Sequence, residues 1–251
     1  MLSRDELKDF LDAKSEQFNH PDFIADDPIQ IPHGFSKKED IEISGLLAAS
    51  IAWGQRKTII SNAKRMVDLM ENEPFHFVMN ASKNELQTLE NFKHRTFNGT
   101  DLQFFVLGLR NIYLKGGLEK SFSNCESAFE AINQFRAMMM LTPHEIRSEK
   151  HISSPAKGSA AKRLNMFLRW MNRKDTCGVD FGIWEALPPS KLMIPLDIHT
   201  GNMARKLGIL NRKQNDWRAL EEIMSVLRMF DPNDPSKYDF ALFGLGVNEE
   251  F

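Results

Sequence analysis

Asp197 stands inside "IPLDIHTGNMARKLG", residues 194–208. An apolar, proline-containing approach delivers one carboxylate to the point where a helical pattern begins. A carboxylate placed there can do two things. As an N-cap it accepts a hydrogen bond from an unpaired helix N–H and suits the positive end of the helix. Fixed at the edge of a cleft, it can stabilise positive charge that develops during a reaction. The residue types alone leave both open.

Lys162 is the second candidate. It lies in residues 150–174, "KHISSPAKGSAAKRLNMFLRWMNRK", which hold seven Lys or Arg and no Asp or Glu. The whole chain has a formal net charge of −2, which leaves −9 for the remainder. So mild a balance argues against a protein coated in nucleic acid, but the segregated basic stretch suits a local contact. Ser153-Ser154-Pro155 and Lys157-Gly158-Ser159 precede the helix pattern. A small-residue turn that feeds a helix N-terminus directs N–H groups outward and can hold a phosphate. Lys157, Gly158 and Arg163 are the candidate phosphate contacts. Leu164, Phe167, Leu168 and Met171 then follow at core spacing, with Lys162 just ahead of them. A lysine half-buried beside an apolar face can serve as a nucleophile. The same placement suits a side chain that lays its stem on the core and keeps its head in water. A solvated helix face is the plain alternative for the whole run.

The elements that position these residues are helices. Leu7, Phe10, Leu11 and Phe18 share one helical face, and Ser3-x-x-Glu6 is a capping box. Residues 19–35, with Pro21, Pro28 and Pro32, read as an ordered loop. Ser36-x-x-Glu39 marks a second start, leading into "ISGLLAASIAWG", which Gly54 ends. "QRKTIISNAKRMVDLM" begins another helix. Further helices are expected near 82–91, 101–114, 125–141, 160–172, 199–207, 216–229 and 236–245. Alternating β-branched residues are nearly absent. The pattern predicts an all-α protein, one domain of two helical lobes with a cleft between them. At 251 residues and 42% hydrophobic, the chain can build a sizeable core. Cys125 and Cys177 lie far apart with no C-x-x-C, so neither a thiolate metal site nor any other cofactor is expected. "MLSRDELKDF" lacks the apolar stretch of a signal peptide, and no apolar run approaches membrane-spanning length. The expected compartment is the cytoplasm.

Three segments, in order, resemble the helix-hairpin-helix DNA glycosylases of the endonuclease III type. "LLAASIAWGQRKTIISN" resembles that family's early helix and following turn, where a polar residue, often Gln, precedes an Asn by seven positions. Gln55 and Asn62 hold this spacing. "GSAAKRLNMFL" resembles the hairpin and the helix bearing the family's lysine, with Gly158, Lys162, Asn165 and Leu168 in register. "IPLDIHTGNMARKLGIL" resembles the loop and helix that carry its aspartate, with Asp197, His199 and Arg205 matching. "WRALEEIMSVLRMF" and "YDFALFGLG" resemble the closing helices. The likeness covers about residues 40–75 and 155–247. "AAKRLNMFLRWMNRKD" and "DPSKYDFALFGLG" are also similar to a bacterial branch of this superfamily without an iron–sulfur cluster.

Three departures stand out. Ala160 replaces the hairpin's second glycine. The Lys162–Asp197 spacing is longer than in endonuclease III and nearer that of the archaeal 8-oxoguanine enzymes, and "DTCGVDFGIWEALPPSK", residues 175–191, fills it. No cysteine cluster follows residue 247.

The resemblance implies a two-lobed glycosylase-like fold and an enzyme that excises a damaged base from DNA, with or without lyase activity. Lys162 and Asp197 are then the catalytic pair. Lys157, Gly158 and Arg163 hold phosphates. His199 braces the loop beside the DNA. Gln55 is either a wedge that fills the gap left by a flipped base or a loop glutamine bonded to backbone. Trp184 and Phe181, in the 175–191 segment, can stack on a base or lie in the core, the core coming first. Trp53 and Trp170 read as core. The partner is DNA, with RNA as the alternative, and no membrane. Two other readings remain open: a non-catalytic or RNA-directed nucleic-acid-binding protein on this scaffold, and a helical interaction protein in which Asp197 is only a cap.

Overall fold

The Ser3 hydroxyl accepts the Glu6 N–H and the Glu6 carboxylate accepts the Ser3 N–H at 2.7 Å, so the expected capping box opens helix α1 (Arg4–Phe18). The computed structural model describes residues 2–248, and helices follow one another along nearly all of it.

Residues 19–35 depart from the expected loop. They wind into two one-turn helices, α2 (Asp22–Ala25) and α3 (Gln30–His33). Pro21 precedes α2 and Pro32 is the third residue of α3, places where a missing N–H leaves no intrahelical bond unmade. Helix α4 (Lys38–Ser50) also starts differently. Lys37 is its N-cap and makes no side-chain bond, so the helix begins too late for a box based on Ser36. Asp40 caps another segment instead, accepting the Phe75 N–H at 2.8 Å.

Every residue of α4 from Ile41 to Ser50 is buried, as befits a helix apolar on all sides. Around it pack α3, α5 (Arg56–Asp68), α6 (Pro74–Asn80) and α10 (Lys162–Asn172). Its one buried charge, Glu42, accepts the Trp184 indole N–H and the Tyr113 hydroxyl, each at 2.6 Å. Beyond α7 (Lys83–Thr88), the strands β1 (Lys93–His94) and β2 (Phe97–Asn98) form a small hairpin, pairing His94 with Phe97. Helix α8 (Gly99–Leu114) packs on α6 and on α9 (Ala128–Met139).

The chain closes with α11 (Ile198–Lys206), α12 (Trp217–Phe230) and α13 (Tyr238–Asn248). Helix α13 lies against both α1 and α11, which joins the two ends of the sequence. Buried side chains from α1 to α13 make one continuous core. The 175–191 segment crosses it with its aromatic groups turned inward. Trp184 is 1% exposed, and Phe181 stacks on His33 with ring centroids 4.3 Å apart. Among the described residues, no helix is long and apolar enough to cross a membrane.

Candidate functional site

A tight turn leads into α10. After a short turn at Pro155–Lys157, Gly158 takes a left-handed conformation with φ of +86°. Its carbonyl accepts the Trp217 N–H at 3.0 Å, which ties the turn to α12. Ala160 is buried, and Asn165 donates to its carbonyl at 2.9 Å. The second left-handed residue is Ala161, with φ of +45°, immediately before α10. That conformation costs a non-glycine residue about 1–2 kcal/mol. The chain therefore turns here without a second glycine and stores strain next to Lys162, the first residue of the helix.

Lys162 Nζ lies 3.2 Å from Asp197 Oδ2, with the lysine side chain 36% exposed and the aspartate 12%. The two roles considered for Asp197 prove compatible. Its Oδ1 accepts the Thr200 N–H at 2.8 Å and caps α11, while Oδ2 faces the lysine. Behind it, Asn215 donates to the Asp197 carbonyl at 2.8 Å and accepts from Arg205 at 2.5 Å. A Cβ at Gly201 would lie 2.6 Å from Asn215, so only glycine lets this support approach. His199 is exposed and reaches the Gly246 carbonyl at 3.3 Å, bracing α11 on α13.

Lys162 and Asp197 line a cavity of about 710 Å³. Phe23, Trp53, Trp170 and Phe243 supply aromatic walls, and Asp27, Arg56, Arg169 and Asp239 supply charge. An apolar pocket with a few convergent polar groups is the usual form of a small-molecule site. The Trp170 indole N–H is buried and has no partner among the described residues. Arg169 pairs with Asp239 and, at 3.3 Å, with Asp180. Burial pushes the Asp239 carboxyl up to about 7; Arg169 pulls it down and the Asp197 and Asp180 carboxylates add to the rise. Burial likewise raises Asp27. Trp53, expected in the core, is half-buried and forms part of the cavity wall. It stacks on His151 at 5.9 Å, and the Arg163 guanidinium lies 4.7 Å from its ring. Trp170 is fully buried as expected, yet it too reaches the cavity.

Gln55 is exposed between Gly54 and Arg56, both of which line the cavity, and it makes no cap bond to α5. Asn62 and His94 hold this loop. Asn62 meets His94 Nδ1 at 3.0 Å, and His94 Nε2 meets the Trp53 carbonyl at 3.2 Å.

The seven cations of 150–174 do not share one surface. Lys150, Lys157 and Lys174 are exposed, as is Gly158. Lys162 faces the cavity. Arg163 turns inward, bonding the Ser50 carbonyl and, at 3.4 Å, that of Lys150, and burial lowers it to about 10. Arg169 and Arg173 are buried in ion pairs. Two of their partners, Asp175 and Asp180, follow soon after the helix, but Asp234 and Asp239 come from distant parts of the chain, which the local charge pattern cannot reveal. Asp239 is none of the candidate residues described above. Its one mark in the sequence is that it is the only charge in "YDFALFGLGVN", which does not by itself place it in a cavity.

No curated protein and no solved structure matches the chain. A family model described as "Protein of unknown function (DUF2400)" matches residues 27–248, a span that includes the Gly158 turn, Lys162, Asp197 and Asp239. The chain belongs to the DUF2400 family.

Proposed function

We propose that this protein is a DNA glycosylase on the two-lobed helix-hairpin-helix scaffold, excising a damaged base and able to act as a lyase. The observation that carries the reading is the approach of Lys162 Nζ to Asp197 Oδ2, 3.2 Å, on the wall of an aromatic cavity. A base flipped out of the stack enters that cavity and lies against its aromatic walls. Gln55 fills the gap in the duplex, and Lys157 with the Gly158 turn holds the backbone. As the C1′–N bond breaks, positive charge grows on the sugar and the fixed Asp197 carboxylate stabilises it. Asp197 takes a proton from Lys162, whose free amine then bonds to C1′. Opening of the sugar ring gives the Schiff base from which strand cleavage proceeds. Where water attacks instead, Asp197 takes the water's proton. On this reading the protein works in the cytoplasm, with DNA.

A second reading, binding of DNA or RNA without chemistry, draws support from the few exposed cations around the hairpin. Release of free base separates the two. Duplexes that each carry one uracil, hypoxanthine, 8-oxoguanine or thymine glycol are the probes. The glycosylase reading expects release from at least one, with a loss on the order of 100-fold or more in Asp197→Asn and in Lys162→Gln. Duplex binding with no release from any probe favours the second reading.

A further inference from the structure

The cavity holds a carboxyl group that the Lys162–Asp197 pair does not use. Asp239, the second residue of α13, is 6% exposed and lines the cavity. Arg169 contacts it from α10, the charges of Lys162, of Asp197 at the start of α11 and of Asp180 in the 175–191 segment act on it, and Asp27 and Arg56 line the same cavity. On its α1 side, Asp12 accepts the Tyr238 hydroxyl at 2.9 Å and pairs with Lys237 at 3.0 Å.

The charges around it do not balance. Two guanidinium groups, Arg169 and Arg173, contact four carboxyl groups, those of Asp175, Asp180, Asp234 and Asp239. Three of the four have further support for a negative charge. Asp175 accepts from Asn19 and from the N–H groups of Cys177, Val179 and Asp180. Asp180 touches both arginines. Asp234 accepts from Ser236 at 2.8 Å as well as from Arg173. Asp239 has Arg169 alone among the described residues, and Asp180 shares that arginine. A buried carboxylate without full compensation takes up a proton. Of the four, Asp239 has the least support for a negative charge and is the favoured site of a proton; Asp27, also buried and raised, lines the same cavity but makes no ion pair among the described residues. Burial and the nearby carboxylates bring the titration of Asp239 to about 7, against the pull of Arg169 and Lys162.

We propose that Asp239 is the general acid of the cavity and delivers its proton to the departing base. The proposal rests on the glycosylase reading. In the step, the C1′–N bond breaks and its electron pair moves onto the base. The O–H bond of Asp239 breaks, and the proton goes to a basic nitrogen or oxygen of that base, which leaves neutral. Asp239 becomes a carboxylate held by Arg169. Asp197 meets the charge on the sugar, water or the Lys162 amine completes C1′, and solvent in the cavity restores the proton of Asp239. Two carboxyl groups in different environments thus divide the work, one ionised and one protonated.

The test measures base release by wild type, Asp239→Asn and Asp239→Glu from about pH 5.5 to about pH 9 on the four lesion duplexes. Affinity for an abasic-site duplex, which has no base to protonate, is measured beside it. Wild-type release is expected to fall as pH rises through about 7. Asp239→Asn should lower release on the order of 100-fold and flatten that fall, with abasic-site affinity within about twofold of wild type. Asp239→Glu should keep the fall. Wild-type release and pH profile in Asp239→Asn overturns the acid role and leaves the glycosylase reading standing. Equal loss of release and abasic-site affinity in both variants makes Asp239 structural and also overturns it. A wild type that binds the abasic site but releases no base overturns the glycosylase reading, and this inference with it.

Discussion

At the scale of single residues, Asp197 uses its two oxygens for different ends: Oδ1 caps α11 and Oδ2 faces Lys162. Asp197→Asn separates them. Asparagine caps about as well as aspartate, so thermal unfolding should change by less than about 1 kcal/mol. Activity should nevertheless fall on the order of 100- to 1,000-fold, because a neutral amide cannot stabilise a developing cation. Asp239 makes a separate prediction through stability. Its carboxyl is raised from 3.8 to about 7, so between those values the folded protein binds a proton that the unfolded chain releases. Stability therefore falls as pH rises through this window. Asp239→Asn does not titrate, and its melting temperature relative to wild type should climb between about pH 4 and about pH 7; a flat difference contradicts the assignment. Lys162 and Asp197 were legible because each sits in a local pattern, a turn before a helix and a cap after an apolar run. Asp239, Asp27 and Phe23 were not, because only tertiary packing brings them to the cavity.

Helix α10 shows how elements turn sequence into site. Its apolar stripe, Leu164, Phe167, Leu168 and Met171, is buried as the spacing required. The remaining positions are not a solvated face, because α4, the 175–191 segment and α13 enclose the helix. Arg163 bonds the carbonyl of Ser50, the last residue of α4, and so ties α10 to the end of α4. Arg163→Ala should cost roughly 1.5–3 kcal/mol in denaturant unfolding, the range for buried hydrogen bonds to a charged group. Lys157→Ala, on the exposed turn, should stay within about 0.5 kcal/mol. Similar effects of the two would contradict the inward placement of Arg163. Most helix positions were readable from periodicity, but α6, which opens on Pro74, was not among those expected. The winding of 19–35 into α2 and α3 was not, since proline in a first turn and proline in a loop look alike in sequence.

Over the whole molecule, a net charge of −2 conceals a division between buried ion pairs and exposed lysines. The all-α class follows from the apolar spacing, but the joining of α1 to α13 and the place of the cavity depend on packing that no local pattern encodes. If the Gly158 turn carries the backbone contact, Lys150→Glu with Lys157→Glu should weaken duplex binding and reduce the slope of log affinity against log salt by roughly 0.9 per lost phosphate contact. An unchanged slope would move the contact to another face.

The central claim is that Lys162 attacks a sugar carbon with Asp197 beside it. Borohydride reduction during incubation with an abasic-site duplex freezes a Schiff base as a stable amine, and peptide mapping then identifies the residue that carries the DNA. A covalent adduct on the peptide containing Lys162, and none with Lys162→Gln, is the expected result. An adduct that persists in Lys162→Gln, or no adduct with the wild type, contradicts it.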